Sequence, residues 1–507
     1  MASTIDALPI ARRWYQECRT LHKTCKRSPK SAIPTRLIDI SGNEPCLRLA
    51  DELGSEVEYA TLSHCWGSLK FTRLTKSTFE SFRKRIPPEA LTKTFKNAIF
   101  IAQYFGFRFL WIDSLFILQD SMEDWSKEST LMSEVYGECD LNIAATSAKD
   151  GSEGCFFPRE RSWRCQVSPT SQTEQIYDCY PYSTLEPYVD RLSKRAWVLQ
   201  ERCLSQRTVH FANNQLYWEC CGIVASEIYP NGYPLSIARD KFLYQKRQLS
   251  RSSWPKLVEM YSGGLTTMSS DRLVAIGGLA RVIYSKSQDE YIAGFWKKGL
   301  EGQLLWQSHG LNRRIDPYSA PTWSWASLQG GVSFHDWHKN ENALSRMCTF
   351  RVHDIQMQYV SDNPFGQVRT GILRLRCSHL ASGVIQRGPL FVSIGNYDFN
   401  IGRHIAHDFH ISFDCIEEEE RGGEDEEETW FIHVHVLPIW TDNSAGLLLR
   451  PTGRKRGHYE RIGAYHTSEL STPAIEDANL VALEWDHHFA EVSSDSNGNK
   501  EYFIDLV

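Results

Sequence analysis

The sequence lacks the features that mark several common classes of protein. No apolar run approaches the roughly 18 residues of a membrane-spanning helix, so none is expected. The amino terminus, MASTIDALPIARRWYQEC, has no continuous apolar segment of the secretory kind. The patterns GxxxxGK[ST], GxGxxG and HExxH are absent, which argues against P-loop nucleotide hydrolases and zinc proteases. We also find no repeat of fixed period.

Outside one acidic segment, the positive and negative charges of the chain nearly balance. The chain has 56 basic and 62 acidic residues, a net charge of -6. Residues 417–428, EEEERGGEDEEE, carry nine acidic side chains and one arginine, which leaves the rest of the chain close to +2. Such a run predicts a solvated loop, because like charges repel and resist burial. The sequence has no strongly basic cluster of the kind that indicates a nucleic-acid partner.

The cysteines do not form a disulfide framework. Fourteen are scattered along the chain without regular spacing, and no secretory signal is evident, so we expect mostly reduced thiols in a cytoplasmic protein. One group stands out: Cys18, His22 and Cys25 occupy positions i, i+4 and i+7 of a possible helix. That face offers three zinc ligands, but no fourth follows nearby, and helix packing explains the same pattern. We therefore assign no metal here.

The pattern of elements predicts an α/β fold. Strands at 57–63, 107–113 and 140–147 alternate with helices at 90–106 and 121–136, which is typical of a mainly parallel sheet with helices on both faces. A hairpin follows at 207–220. Further on the chain is first helical and then rich in strands. We predict four regions: a helical and extended lead-in (1–54), the α/β domain (55–230), a mainly helical region (231–319), and a β-rich region with the acidic loop (320–507).

Two segments of the α/β domain lie where its ligand is expected. Asp113 and the turn at 63–67 both follow strands, and ligands of open α/β sheets bind beyond the carboxyl ends of strands. In the turn, Ser63, His64, Trp66 and Gly67 are candidate ligand-binding residues. Cys65 is no candidate nucleophile, because neighbouring side chains on a strand diverge and Cys65 cannot meet His64.

The segment KRAWVLQER, residues 194–202, is the most specific candidate for a catalytic site. On a helix, Trp197 and Glu201 share one face a turn apart. Glu201 is then a candidate catalytic carboxylate with Trp197 as a pocket wall, and Arg195 or Arg202 can meet phosphates. The alternative is structural: a core tryptophan, and a glutamate paired with a neighbouring arginine.

Two further carboxylates have competing interpretations. Asp113 either lines the cleft as a second catalytic residue or caps the following turn. Asp120 is included as a ligand-binding candidate, although a carboxylate before a helix also interacts favourably with the helix dipole.

Several of these segments, in this order, resemble the fungal heterokaryon-incompatibility (HET) domain family. The matching segments are YATLSHCWG (59–67), FRFLWIDSLFILQDSMEDWSKESTLMSEVY (107–136), LNIAAT (141–146) and RAWVLQERCLSQRTVHF (195–211). The resemblance covers roughly residues 55 to 230. Phe116 departs from it, because the family usually has cysteine there.

The resemblance implies a role in fungal non-self recognition that ends in growth arrest or cell death. HET domains are considered remote relatives of Toll/interleukin-receptor (TIR) domains, some of which cleave NAD+ at the nicotinamide bond. Their Trp-Cys-x-x-Glu helix is similar to WVLQE here, with Val198 in place of cysteine. The order of the motifs fits that relation. A roughly fifty-residue insertion after the NIAATS strand departs from it.

Two functions remain open from the sequence. The first is an effector that cleaves NAD+ as its substrate, with Glu201 and Asp113 as catalytic residues and no bound cofactor. The second is a non-catalytic signalling or assembly module acting through self-association or a protein partner. A pocket lined by Glu201, Asp113 and aromatic rings favours the first, whereas an exposed apolar patch with Glu201 in a remote salt bridge favours the second.

Overall fold

A computed structural model describes residues 3–25, 33–42, 44–54, 57–158, 165–167, 177–179, 191–234, 246, 249–266, 268–334, 348–377, 380–387, 391–394, 397–400, 409–415, 430–438, 445–467, 488–494 and 500–507. The chain divides into two compact units, 1–249 and 250–507. Each unit is described by itself. The acidic run at 417–428 lies outside the described residues.

The first unit is built on an eight-stranded sheet. Its strands are β1 (Arg36–Asp39), β2 (Cys46–Leu49), β3 (Tyr59–Ser63), β4 (Phe109–Trp111), β5 (Leu141–Ala144), β8 (Arg207–Phe211), β9 (Leu216–Cys220) and β10 (Val224–Ser226). Between β5 and β8, the strands β6 (Cys165–Val167) and β7 (Tyr177–Cys179) pair only with each other among the described residues.

The centre of this sheet is parallel, as the sequence predicts. Strands β8, β5, β3 and β4 lie side by side in that order, and all three of their pairings are parallel. Read from β4, the order along the chain is second, first, third, fourth, which is the start of a flavodoxin-like doubly wound sheet. The chain reverses its direction of winding between β3 and β5. The carboxyl end of β3 is therefore at the topological switch point.

Antiparallel strands extend both edges of this parallel centre. The hairpin of β1 and β2 pairs with β4, and β9 with β10 pairs with β8. The hairpin predicted at 207–220 is thus confirmed. Strands β1 and β2 come from the predicted lead-in and join the sheet, so the boundary near residue 55 crosses a hydrogen-bonded unit. The four-region division itself stays a prediction.

The described part of this unit contains six α-helices. They are α1 (Leu8–Thr20), α2 (Lys76–Lys84), α3 (Lys93–Phe105), α4 (Asp113–Phe116), α5 (Met122–Glu138) and α6 (Ala196–Leu204). Thr92 and Ser121 cap α3 and α5 by accepting backbone N–H bonds, and Gly106 ends α3 with a φ of 91°. Strand β4 is shorter than predicted, because Asp113 already begins the turn of α4.

Apolar layers cover both faces of the sheet. Alternate strand residues such as Ala60 and Leu62 pack with α1 and α3, whereas Tyr59 and Trp111 pack with α5 and α6. Helices therefore lie on both faces, as expected for α/β proteins. Thr61, Ser63 and Asn142 are the exceptions on the second face. They are buried polar residues beneath α5 and α6, and they lead towards the candidate site.

The second unit is helical at first and then mostly β, as predicted. Its helices are α7 (Trp254–Ser262), α8 (Arg272–Ser287) and α9 (Leu300–Gln303). Strands β11 (Tyr291–Ile292) and β12 (Phe295–Trp296) form one hairpin, and β13 (Gln307–Arg314) pairs with β14 (Leu328–Ser333).

The remaining strands form one eleven-stranded sheet. They are β15 (Phe350–Tyr359), β16 (Val368–Cys377), β17 (Ala381–Arg387), β18 (Phe391–Ile394), β19 (Tyr397–Asn400), β20 (Phe409–Phe413), β21 (Trp430–Pro438), β22 (Ala445–Pro451), β23 (His458–Thr467), β24 (Glu491–Ser494) and β25 (Lys500–Leu506).

The segment around Trp323 and Trp325 does not form the half-buried strand that its alternating sequence predicts. Trp323 and Trp325 alternate with polar residues, as on a half-buried strand, yet both are fully buried and Trp325 starts a short 3-10 helix before β14. Their indole N–H groups donate to backbone carbonyls of Gly371 and Gly294, which satisfies them in the core.

Among the described residues, no helix is both long and apolar enough to span a bilayer.

Candidate functional site

The candidate site lies at the carboxyl ends of β3 and β4. Ser63 is the last residue of β3, and Asp113 follows β4 by two residues. Helix α6 brings Glu201 to the same edge, and α5 contributes Tyr136. Residues far apart in the sequence thus meet where doubly wound sheets bind ligands.

Glu201 is the central carboxyl group of this site. Its side chain lies within the protein, with the residue only 3% exposed. Burial raises the pKa of Glu201 to about 7, against the lowering effect of Arg195 and the Ser63 hydroxyl. Its Oε2 atom has no hydrogen-bond partner among the described residues. A carboxyl with these properties can hold or release a proton near neutral pH.

Hydroxyl and amide groups continue from Glu201 along the sheet. Ser63 Oγ lies 3.1 Å from Asn142 Nδ2, and Thr61 Oγ1 donates to Asn142 Oδ1 at 3.0 Å. Tyr136 donates its hydroxyl hydrogen to the carbonyl of Leu62 at 3.3 Å. Burial and the nearby Glu201 carboxylate raise the pKa of Tyr136 well above its ordinary value, so the phenol keeps its proton.

Asp113 connects this group to the turn after β3. Its Oδ2 accepts a hydrogen bond from Trp66 Nε1 at 2.9 Å, and its Oδ1 accepts one from the backbone N–H of Ser114 at 2.7 Å. His64 Nδ1 lies 3.8 Å from Asp113 Oδ1, too far for a hydrogen bond. Asp113 therefore binds the first turn of α4 and the turn after β3, and its catalytic role stays a prediction.

His64 is a neutral ring in this site. The residue is 2% exposed and packs edge-on against Phe95, with ring centroids 5.2 Å apart. Burial lowers the pKa of His64 to about 4, more than Asp113 raises it. Cys65 points elsewhere, packing with Ala144 and Val198, which agrees with the predicted divergence of the two side chains.

Within the described part of the first unit, most of the buried unpaired polar atoms lie at these strand ends. In the part of the chain that the structure describes, His64 Nδ1 and Nε2, Trp111 Nε1, Ser114 Oγ and Glu201 Oε2 are buried without a hydrogen-bond partner. Unsatisfied buried groups are costly, and they are often retained where a site binds a ligand or reacts. Their grouping is therefore the strongest local sign of a functional site.

The turn after β3 forms the exposed side of the site. Gly67 has a φ of 59°, and a Cβ there would come 2.6 Å from the Cβ of Asp150, so both its conformation and its packing require glycine. The following residues, 67–70, are exposed. Arg73 places its guanidinium 5.6 Å from the Trp66 ring centroid, a cation–π contact that holds the loop against the site.

The predicted residues of α6 divide between the site and the core. Arg195 precedes the helix, donates to the carbonyl oxygen of His64, and influences Glu201 by its charge. Trp197 packs at the edge of the apolar layer that contains Trp111 and Tyr136. Trp197 thus lies close to the site's apolar base, as a partly buried packing residue.

Arg202 and Asp120 lie in other interactions. Arg202 forms a buried two-point ion pair with Glu219, which also contacts His210 and Lys246. Asp120 accepts hydrogen bonds from the backbone N–H of Lys76 at the start of α2. The structure therefore does not bring either residue to Glu201, and both contacts stabilise the fold.

Sequence reasoning did not identify Tyr136 and Asn142 as site residues. Tyr136 has the periodicity of a core position, and Asn142 lies within an apolar strand. A polar residue in the middle of a buried strand is the signal that could have identified Asn142, because such a group needs a buried partner.

The fold and the site together define an α/β domain with a buried acidic cluster at its topological switch point. Residues 59–201 match the model of the family described as heterokaryon incompatibility protein (HET). The match begins at the first residue of β3 and ends at Glu201, so it contains the whole cluster. The chain thus contains a HET domain, which suggests a role in heterokaryon incompatibility. Comparison with curated proteins and with solved structures found no match.

Proposed function

We propose that this protein is an effector of fungal non-self recognition and cell death that cleaves NAD+ at the nicotinamide–ribose bond, with Glu201 as the catalytic carboxyl group. The observation that carries the proposal is the state of Glu201: it is buried at the switch point, its Oε2 is unpaired, and its pKa is raised to about 7. Structural ion pairs in this domain, such as Arg202–Glu219, have fully occupied carboxylates instead.

The chemistry needs few groups. As the bond between nicotinamide and C1′ of the ribose breaks, positive charge develops on the sugar, and an ionised carboxylate can stabilise it. Nicotinamide leaves as a neutral molecule. Water then adds to C1′, and Glu201 accepts its proton, which gives ADP-ribose, nicotinamide and one released proton. Ser63 and Tyr136 lie beside the carboxyl and can orient a ribose hydroxyl or that water.

Substrate can reach Glu201 only if its surroundings move, because the residue is 3% exposed. The exposed loop 67–73, held by the Trp66–Asp113 hydrogen bond and the Arg73–Trp66 contact, is the element we assign to this opening. Loop opening of this kind is common in enzymes that exclude water from the reaction.

The strand order supports a TIR-like relationship. The parallel strands follow the flavodoxin-like order, and WVLQE places Trp197 and Glu201 on α6. In this interpretation the cytoplasm is where the protein meets NAD+, and a separate protein or a second copy supplies the trigger.

The test measures NAD+ and growth after induced expression in a fungal host, comparing the wild type with Glu201→Gln. Glu128→Gln is the matched control, since Glu128 is also buried but is held by Thr35 at 2.8 Å. We expect wild type and Glu128→Gln to deplete NAD+ and arrest growth, and Glu201→Gln to do neither. Purified wild type should release nicotinamide from NAD+.

The burial of Glu201 favours a second candidate function, a non-catalytic module that signals by assembly. In that case the buried cluster only shapes the domain, and no substrate enters. Growth arrest by both wild type and Glu201→Gln, with NAD+ unchanged, would establish this function and exclude the first.

A further inference from the structure

Four potential metal ligands meet between α1 and β9, away from the Glu201 cluster. The ligand atoms of Cys18, His22, Cys25 and Cys220 all lie within 4.8 Å of one another. The three cysteines are buried and His22 is partly buried. The sequence indicated only the first three, because the fourth is brought in by the sheet.

The four residues lie on different elements of the backbone. Helix α1 ends at Thr20, so only Cys18 of the three lies on it, and the single helical face expected for the three residues is wrong. His22 lies in the following turn, and Cys25 ends a short 3-10 helix, with its N–H donating to the His22 carbonyl. Cys220 is the last residue of β9.

The sulfur atoms are surrounded by hydrogen-bond donors. The backbone N–H groups of Gly222 and Ile223 point to Cys220 Sγ at 3.4 and 3.3 Å, and Arg207 Nε lies 3.2 Å from Cys18 Sγ. Donors of this kind stabilise thiolates, the form in which cysteine binds metals. A neutral, apolar packing site for thiols would not need them.

Gly222 makes room for the histidine. A Cβ at this position would lie 2.9 Å from His22 Nδ1, closer than packing allows. The missing side chain lets the ring approach Cys220, whose Sγ is 3.3 Å from His22 Nδ1. The turn after β9 is thus shaped around these ligands.

We propose that Cys18, His22, Cys25 and Cys220 bind one zinc ion that fastens the amino-terminal segment to the edge of the HET sheet. Three thiolates and one imidazole form a closed tetrahedral set of the kind found in structural zinc sites. No ligand position remains for water, so the site stabilises structure and takes no part in the reaction proposed for Glu201.

The spacing of the ligand atoms selects zinc over an iron–sulfur cluster. With zinc–sulfur bonds of about 2.3 Å and zinc–nitrogen bonds of about 2.0 Å, tetrahedral geometry places ligand atoms roughly 3.5–3.8 Å apart. The observed limit of 4.8 Å needs only small adjustments to reach that geometry. A two-iron cluster spreads its outer ligands further apart, since the two metals and bridging sulfides lie between them.

The experiment measures metal in the purified 507-residue chain. We expect about one zinc ion per chain by elemental analysis, and cobalt substitution should give the visible bands of tetrahedral cobalt with thiolate ligands. A strong chelator should remove the metal and lower the melting temperature of the wild type. This arm needs no mutant, so it remains informative if variants fold poorly.

Matched variants identify the ligands. Cys220→Ser should lose most of the zinc, and Gly222→Ala should weaken its retention against a chelator about tenfold or more, as loss of a shaped ligand shell does. Cys46→Ser, which changes a buried cysteine outside the cluster, should keep it. Zinc-free wild type, an intact mass lower by two hydrogens from a disulfide, or full zinc content in Cys220→Ser would each overturn the proposal.

Discussion

Glu201 and Arg202 are neighbours in the chain, but Arg202 does not neutralise Glu201. The Arg202 guanidinium donates to both carboxylate oxygens of Glu219, at 2.8 and 2.6 Å, on the side of α6 that faces β9. Glu201 points instead to the cluster of Ser63 and Tyr136, with one oxygen unpaired. The structural interpretation of KRAWVLQER therefore does not hold for Arg202, whereas Arg195 acts on Glu201 through its charge.

Because Glu201 is buried, we expect it to make the free energy of unfolding depend on pH. Burial raises the pKa of Glu201 from 4.5 to about 7, so the folded state holds a proton that the unfolded chain releases. The stability contributed by the protonated group is fully present below pH 4.5 and is lost as the pH rises to about 7. Glu201→Gln should therefore match the wild type near pH 4.5 and exceed it by about 3 kcal/mol above pH 7.

Chemical denaturation at a series of pH values measures this difference. The variant should have the flatter stability profile between pH 4.5 and 7. Equal profiles for the two proteins would show that Glu201 titrates normally and would remove the support for a tuned acid–base group.

Arg195 should limit the size of this shift. Its charge lowers the pKa of Glu201, so Arg195→Met is expected to raise that pKa further and to extend the pH-dependent region above 7. The measurement compares Arg195→Met with the Arg195→Met/Glu201→Gln double variant, because the arginine also bonds the His64 carbonyl and its loss has a pH-independent cost. Lys194→Met, an exposed neighbour, is the control and should leave the profile unchanged.

Local sequence patterns were sufficient to predict the features that depend on them. Periodicity and capping residues located α3 and α5, and the ends of apolar strands placed Ser63 and Asp113 at the carboxyl edge of the sheet. Partners distant in the chain were not predictable in this way. Glu219 and Cys220 face α6 and α1 only because β9 is placed beside β8, and no local pattern encodes that register.

Burial decides the role of several residues in a way that their local pattern does not reveal. Tyr136 occupies the expected inner face of α5, but its hydroxyl matters because α6, a helix much later in the chain, brings Glu201 beside it. Trp323 and Trp325 alternate as on a strand, although their bulk is needed in the core of the second unit.

The Arg202–Glu219 pair should be important for stability. Burial opposes ionisation of Glu219, but Arg202 and Lys246 outweigh it and hold the pKa of Glu219 well below its ordinary value. Arg202→Met leaves that charge with fewer partners, and we expect a loss of about 3–5 kcal/mol in the free energy of unfolding. Arg202→Lys, which keeps the charge but not the two-point geometry, should lose less. A loss below about 1 kcal/mol for Arg202→Met would contradict the buried pair.

The Trp66–Asp113 hydrogen bond should couple the exposed loop to the site. Its 2.9 Å length and charged acceptor predict a coupling energy of about 1.5–3 kcal/mol between Trp66→Phe and Asp113→Asn in a double-mutant cycle. Phenylalanine keeps the ring that contacts Phe71 and Arg73 but removes the donor. Asparagine can still accept from the Ser114 N–H, so the cap of α4 remains.

A second cycle, between Phe71→Leu and Asp113→Asn, provides the control for that coupling. Phe71 contacts the Trp66 ring at 5.9 Å between centroids and makes no hydrogen bond to Asp113 among the described contacts, so its coupling should be close to zero. Equal coupling in both cycles would mean that the loop responds to packing alone. Selective coupling of Trp66 would instead show that this hydrogen bond links the loop to Asp113.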